Sequence, residues 1–259
     1  MKRDKARQIS NVVSLLLTIA VNGLANALPL NGLTTGEISD RFDVYFVPAG
    51  YVFSIWGVIY LALAAFAIYQ ALPGQRANPR LRRMGYLFPL SCLANVAWLF
   101  LWHYEVFPLT IVAMVTLLLL LITIYLRLGI GRTEVPTSEM WLVRVPFSIY
   151  LGWVTVATIA NATSLLDYLN WSAWGISPEV WTAIMLAVAT ALTAAVTFTR
   201  GDVAYGAVIV WAFAGIGVKH AGTPFVSTAA WAATGGAVVA TVAGAYFHRR
   251  QRSSEPSRM

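Results

Sequence analysis

Charge is what this sequence has least of. Asp, Glu, Lys and Arg make up 11% of its 259 residues, where a soluble domain carries about 25%. A soluble fold of this length needs a charged surface to stay dispersed, so a water-soluble globular domain is excluded. Cysteine is nearly absent as well. Cys92 stands alone inside an apolar run, so an intrachain disulfide is impossible and a packed small side chain is the expected role. The histidines are His103, His220 and His248. His103 and Glu105 lie two apart with no third ligand nearby, so no metal site is legible. The chain has no glycine-rich phosphate loop, which argues against ATP-driven transport by this chain alone.

What is present is apolar surface: 58% of the residues are hydrophobic and the mean hydropathy is +0.67. Eight apolar stretches, at about 9–30, 49–72, 84–104, 106–128, 142–166, 179–199, 203–219 and 225–247, approach the ~20 residues a helix needs to cross a bilayer. The seventh is short and glycine-rich. The runs are continuous and do not alternate, which selects helices over a membrane barrel. The expected fold class is therefore all-α, a polytopic membrane protein of about eight transmembrane helices.

The net charge of +7 invites a nucleic-acid reading, but the charges fall between the apolar runs without a basic helix face or interleaved aromatics. Their distribution is topological. Lys2, Arg3, Lys5, Arg7, Arg76, Arg80, Arg82, Arg83, Arg127, Arg132, Arg144, Arg200, Arg249, Arg250, Arg252 and Arg258 fall on one side, against Arg41 and Lys219 on the other. By the positive-inside rule both termini are expected in the cytoplasm, with the chain in the plasma membrane. Met1–Leu30 also has the outline of a cleaved signal peptide, with a basic start and the triplet Ala25-Asn26-Ala27. Its apolar part is long for that, and Asn22 and Asn26 share one helix face, so a retained first span is expected.

Polar and aromatic residues inside the spans carry the chemistry, because a buried polar group must find a partner. Asn22 and Asn26 lie in span one, Asn95 in span three and Asn161 in span five. The aromatics Tyr51, Phe53, Trp56, Tyr60, Trp98, Trp102, Tyr150 and Trp153 fall in the same half of the chain. Interfacial belts and interhelical hydrogen bonds account for many such residues. Trp102, Trp171, Trp174 and Trp181, near span ends, fit a belt; Trp56, Trp98 and Trp153 sit too far inside. In the last three spans Ala183, Ala187, Ala191 and Ala195, and again Gly236, Ala240 and Gly244, form small-residue stripes that predict close helix packing. Lys219-His220 is a basic pair at a span end, where snorkelling is ordinary.

Three blocks resemble the translocator protein / tryptophan-rich sensory protein (TspO/MBR) family. Pro48 through Tyr51-Val52-Phe53 to Trp56 and Tyr60 is similar to the family's P-P-x-W-V-F block followed by V-W-x-x-L-Y. Leu93-Ala94-Asn95-Val96-Ala97-Trp98 is similar to its L-x-N-x-x-W. The stretch from Tyr150-Leu151-Gly152-Trp153 to Asn161 is similar to Y-L-L-W-V-S-F-A-T-V-L-N. The blocks occupy spans two, three and five, in the family's order. Departures are Ala49 for the second proline, Tyr51 for the first block's tryptophan, a spacing to Trp56 one residue short, and Ile149 for the proline before Tyr150. The motifs cover about 9–166, and the chain runs on past the family's five spans.

The resemblance implies a five-helix bundle over 1–166 with an aromatic-lined cavity for tetrapyrroles or sterol-like molecules. Three further helices occupy 167–247, and a basic tail 248–259. Trp56, Tyr60, Asn95, Trp98, Tyr150, Trp153 and Asn161 are the expected ligand-binding residues, with the first loop, about 31–48, over the mouth. No cofactor is required; a tetrapyrrole would be a ligand. The expected function is a receptor or carrier for a hydrophobic planar ligand. A permease and a structural subunit of a membrane complex are the open alternatives. Nothing resembles a complete catalytic set, so an enzyme is not the expectation. Expected partners are the lipid bilayer and a hydrophobic small molecule, with a second copy of the chain in a homo-oligomer left open.

Overall fold

The computed structural model describes residues 2–28 and 30–254. The Asn26 side chain and Arg258, both singled out in the sequence, lie outside the described residues. Among those described, every regular element is a helix. They are α1 (Lys2–Ala27), α2 (Thr35–Ser39), α3 (Ile55–Ala71), α4 (Pro79–Met84), α5 (Leu87–His103), α6 (Phe107–Arg127), α7 (Thr137–Glu139), α8 (Val145–Tyr168), α9 (Pro178–Arg200), α10 (Val203–Lys219) and α11 (Pro224–Ser254). A 3₁₀ turn, Gly50–Ser54, leads into α3, and a π turn, Met140–Arg144, joins α7 to α8.

Each of the eight apolar stretches is a helix. Six are long and apolar enough to cross a membrane. The other two, α5 and α10, have 17 residues each, a length of about 26 Å against a hydrocarbon core of about 30 Å. The chain is thus an all-α membrane protein, with six helices meeting the crossing length and two at its lower limit. Large side chains such as Leu61 and Ile68 remain 75% and 70% exposed on α3, as a lipid-facing surface requires.

Local sequence sets the helix ends. α9 begins at Ser177, whose hydroxyl accepts the Val180 N–H, with Pro178 in the first turn. It ends at Gly201, in the left-handed conformation, whose N–H returns to the Thr197 carbonyl at 2.8 Å. Asp202 then caps α10 through the Tyr205 N–H. Asp202 is buried, and it also accepts the Tyr125 hydroxyl at 2.8 Å and the Ser148 hydroxyl at 2.6 Å, tying α6, α8 and α10 together.

α5 packs on α6, α6 on α8 and α8 on α3, and α1 lies against α3 and α5. α9 and α11 pair with each other, and both touch α10, which packs on α8. Contrary to its weak sequence signal, α10 is deeply buried, from Tyr205 through Gly217. Its glycines serve contact: a Cβ on Gly215 would stand 2.2 Å from Val52 Cγ2. The two small-residue stripes behave differently. A Cβ on Gly244 would stand 2.7 Å from the Thr197 backbone, so that stripe does pack closely. The alanine stripe does not. Ala187, Ala191 and Ala195 are exposed, and α9 turns Leu186, Ala189, Thr193 and Thr197 inward instead. Threonine satisfies its own hydroxyl on the helix, as Thr193 does on the Ala189 carbonyl at 2.8 Å, so it can occupy an apolar interface.

Candidate functional site

At the end of the bundle away from the chain termini, the first loop folds back over α5. Thr34 and Glu37 form a reciprocal cap at the start of α2, and the Thr34 N–H and hydroxyl hold the Glu37 carboxyl below its ordinary pKa. Ile38 packs with Trp102 and Phe107. The fully buried His103 clasps the loop from α5. Its Nε2 pairs with Thr35 Oγ1 and its Nδ1 with the Leu30 carbonyl, each at 3.1 Å. His103 is therefore a structural tie of the loop. Two ion pairs act at the surface, Arg41 with Glu105 and Lys219 with Asp40. The first raises the Arg41 pKa through its hydrogen bond to Glu105. The second places Lys219 in an ordinary surface pair.

Beneath the loop are two adjoining chambers. The smaller, about 60 Å³, lies between α2, α3, α5, α6 and α8 and is bordered by Trp56, Trp98, Trp153 and Asn161. The larger, about 480 Å³, lies between α1, α3 and α5 and is bordered by Trp56, Tyr60 and Trp98. Phe53, Trp56, Trp98 and Thr35 border both. Exposed Gly23 and Gly57 leave the rim of the larger one without side chains.

The i, i+4 spacing of helix neighbours stacks Trp56 on Tyr60 at 5.5 Å and Trp98 on Trp102 at 5.5 Å. Trp153 meets Phe53 edge-on at 5.7 Å and Trp56 at 6.2 Å. Asn95 and Tyr150 border neither chamber. Asn95 Nδ2 donates to the Tyr150 hydroxyl at 3.2 Å, and its Oδ1 accepts from Asn22 Nδ2 at 2.9 Å, a strut across α1, α5 and α8. Asn161 does both jobs, bordering the smaller chamber and donating to Thr110 Oγ1 at 2.9 Å.

A match to a family model described as TSPO-like protein spans residues 8–243. The chain belongs to the TSPO-like family. The matched region runs beyond the motif-bearing stretch 9–166, through α9 and α10 into α11. No curated protein and no solved structure matches this chain.

Within this TSPO-like chain the structure corrects some residue readings. Trp102 is not in an interfacial belt: it is 4% exposed, its Nε1 donates to the Thr35 carbonyl at 3.2 Å, and it borders the smaller chamber. Tyr51, standing where the family motif has tryptophan, points away from both chambers and meets Trp211 of α10 edge-on at 5.5 Å. Phe53 takes the chamber wall instead. Thr35, Ser39, Pro48 and Met114 also border the smaller chamber. Of these, only the first-loop residues had a sequence cue, in that loop's unusual length.

Proposed function

We propose that this membrane protein is a receptor or carrier for a hydrophobic planar ligand, of the tetrapyrrole or sterol-like class, held in the paired aromatic chambers. One observation carries the reading. The Tyr60 hydroxyl, the Trp98 and Trp153 indole N–H groups and Asn161 Oδ1 are buried with no hydrogen-bond partner among the described residues. Orphaned polar atoms are costly in an apolar interior, and here four of them belong to residues that border the chambers. Flat indole and phenol faces with three donors and one acceptor match a large apolar ring system with polar substituents. The larger chamber falls within the roughly 300–1,000 Å³ of small-molecule sites. The side-chain-free rim at Gly23 and Gly57 provides lateral entry from the bilayer. We place the protein in the plasma membrane with both termini cytoplasmic, on the distribution of its basic residues.

The test is titration of the purified protein in lipid nanodiscs with a porphyrin, followed by tryptophan fluorescence. Saturable quenching is expected. Trp98→Leu and Trp153→Leu remove no protein hydrogen bond made by either indole N–H. Each should weaken binding by roughly tenfold; the half-buried Trp98→Leu should keep a melting temperature close to the parent's, whereas Trp153→Leu, in the core, should lower it. Unchanged affinity in both variants, or quenching that never saturates, would remove the support for this site.

A further inference from the structure

A third cavity, of about 340 Å³, lies on the other side of α8, between residues 43–46 of the first loop, the last turns of α8 and the first turns of α9. It shares no bordering residue with the aromatic chambers. We propose that it is a second binding site, and that its occupant is a cationic amphiphile, an alkylammonium head on an apolar tail.

Charge comes first. Among the described residues, the acidic ones at this end of the bundle are Glu37, Asp40, Asp43, Glu105, Asp167 and Glu179, and the Lys and Arg there are Arg41 and Lys219. Both bases are already engaged, by Glu105 and Asp40. Asp43 and Asp167 border the cavity, and Glu179 stands beside it, accepting the Tyr45 hydroxyl at 3.4 Å. Among the described residues none of these three carboxylates has an ion-pair partner. Burial first, then the charges of Glu179 and Asp43, push the Tyr45 phenol above its ordinary pKa. The mouth is therefore negative, and although the amino end of α9 holds Glu179, no Lys or Arg among the described residues pairs with any of the three.

Ring faces come second. Trp171 and Trp181 both border the cavity, with centroids 5.3 Å apart. Indole faces attract ammonium groups, and more strongly where water is partly excluded. Trp181 is fixed by its Nε1 donating to the Ala173 carbonyl at 3.1 Å. The turn that presents these rings is strained: Asn170, Ala173 and Trp174 all have left-handed backbone, at φ 51°, 54° and 55°. Strain of this kind persists where surrounding structure over-determines it and concentrates at ligand sites.

Depth comes third. Ile159, Leu166 and Met185 supply an apolar wall for a tail. A phosphate-bearing zwitterion carrying the same trimethylammonium head would set its anion against the carboxylates, so the site selects net positive charge.

The experiment uses the full chain in nanodiscs, titrated calorimetrically with dodecyltrimethylammonium below its micelle concentration, with empty nanodiscs as baseline. Saturable binding is expected, weakening as salt is raised. The double variant Asp43→Asn/Asp167→Asn alters only exposed side chains, so it should fold and bind roughly tenfold more weakly. Dodecylphosphocholine should not displace the probe, and Trp98→Leu should bind it like the parent. No binding above the empty-disc baseline, or parental affinity in the double variant, would overturn the site. Loss of binding in Trp98→Leu would reassign the probe to the aromatic chambers, and displacement by dodecylphosphocholine would assign the site to a choline lipid. Either result defeats the proposal.

Discussion

At the scale of single residues, Gly57 separates packing from ligand space. It lies inside α3, and a Cβ built there would meet nothing within 4 Å. Glycine in a helix interior is less favourable than alanine by about 0.8–1 kcal/mol. Gly57→Ala should therefore leave the melting temperature unchanged or slightly higher. Gly57→Phe should still fold but should abolish saturable porphyrin quenching by filling the rim of the larger chamber. Retained porphyrin affinity in Gly57→Phe would mean that the ligand does not occupy the larger chamber at that rim. The sequence exposed Trp98 and Trp153 because they are indoles away from span ends, where a lipid belt has no use for them. It misassigned Trp102 because its position near a span end is also where a belt tryptophan belongs. Only the fold-back of a loop some 67 residues earlier in the chain, putting the Thr35 carbonyl over the ring, distinguishes the two. Asn95 and Asn161 have the same side chain and similar surroundings in sequence, so nothing local foretold that one is a strut and the other borders a chamber.

At the scale of elements, α10 does more than fill space. Gly215 lies against Pro48 and Val52, its carbonyl accepts the Ala49 N–H at 3.1 Å, and Trp211 Nε1 donates to the Val52 carbonyl at 3.2 Å. These contacts prop, from behind, the segment that carries Pro48 and Phe53 into the chambers. Gly215→Val overpacks that contact, a cost of about 1–3 kcal/mol. A clear fall in melting temperature is expected, together with weaker porphyrin binding although residue 215 borders neither chamber. Parental values for both would mean that the prop has no mechanical role. The same element shows why its sequence signal was faint. Glycines lower apparent hydropathy and helix propensity, yet close crossings, such as that of Gly206 on Thr241 of α11, require them. The alanine repeat on α9 misled for a related reason: alanine is neutral between lipid and protein, so its spacing alone does not say which side it faces.

At the scale of the whole molecule, the all-helical class and the order of the helices were legible because a bilayer leaves the backbone few choices. The crossing status of α5 and α10 was not, since 17 residues stand at the lower limit. Reporter fusions after Arg83, Arg200 and the carboxyl terminus should all behave as cytoplasmic, and one after Leu169 as external. A cytoplasmic reporter at Leu169 would sink the eight-span topology. The ties on the first loop have a kinetic corollary. His103 holds it from within, where dissolved ions do not reach, whereas the Arg41–Glu105 and Lys219–Asp40 pairs bridge it to α5 and α10 at the surface. Raising ionic strength from 50 to 500 mM shortens the screening length from about 14 Å to about 4 Å. The surface ties should loosen while the buried one holds. Stopped-flow association of a neutral sterol-like probe should then quicken with salt, by a few-fold, while equilibrium affinity changes little. A rise with salt would make the loop a second door beside the glycine-lined rim, and rates indifferent to salt would leave the rim as the way in and the loop a fixed roof.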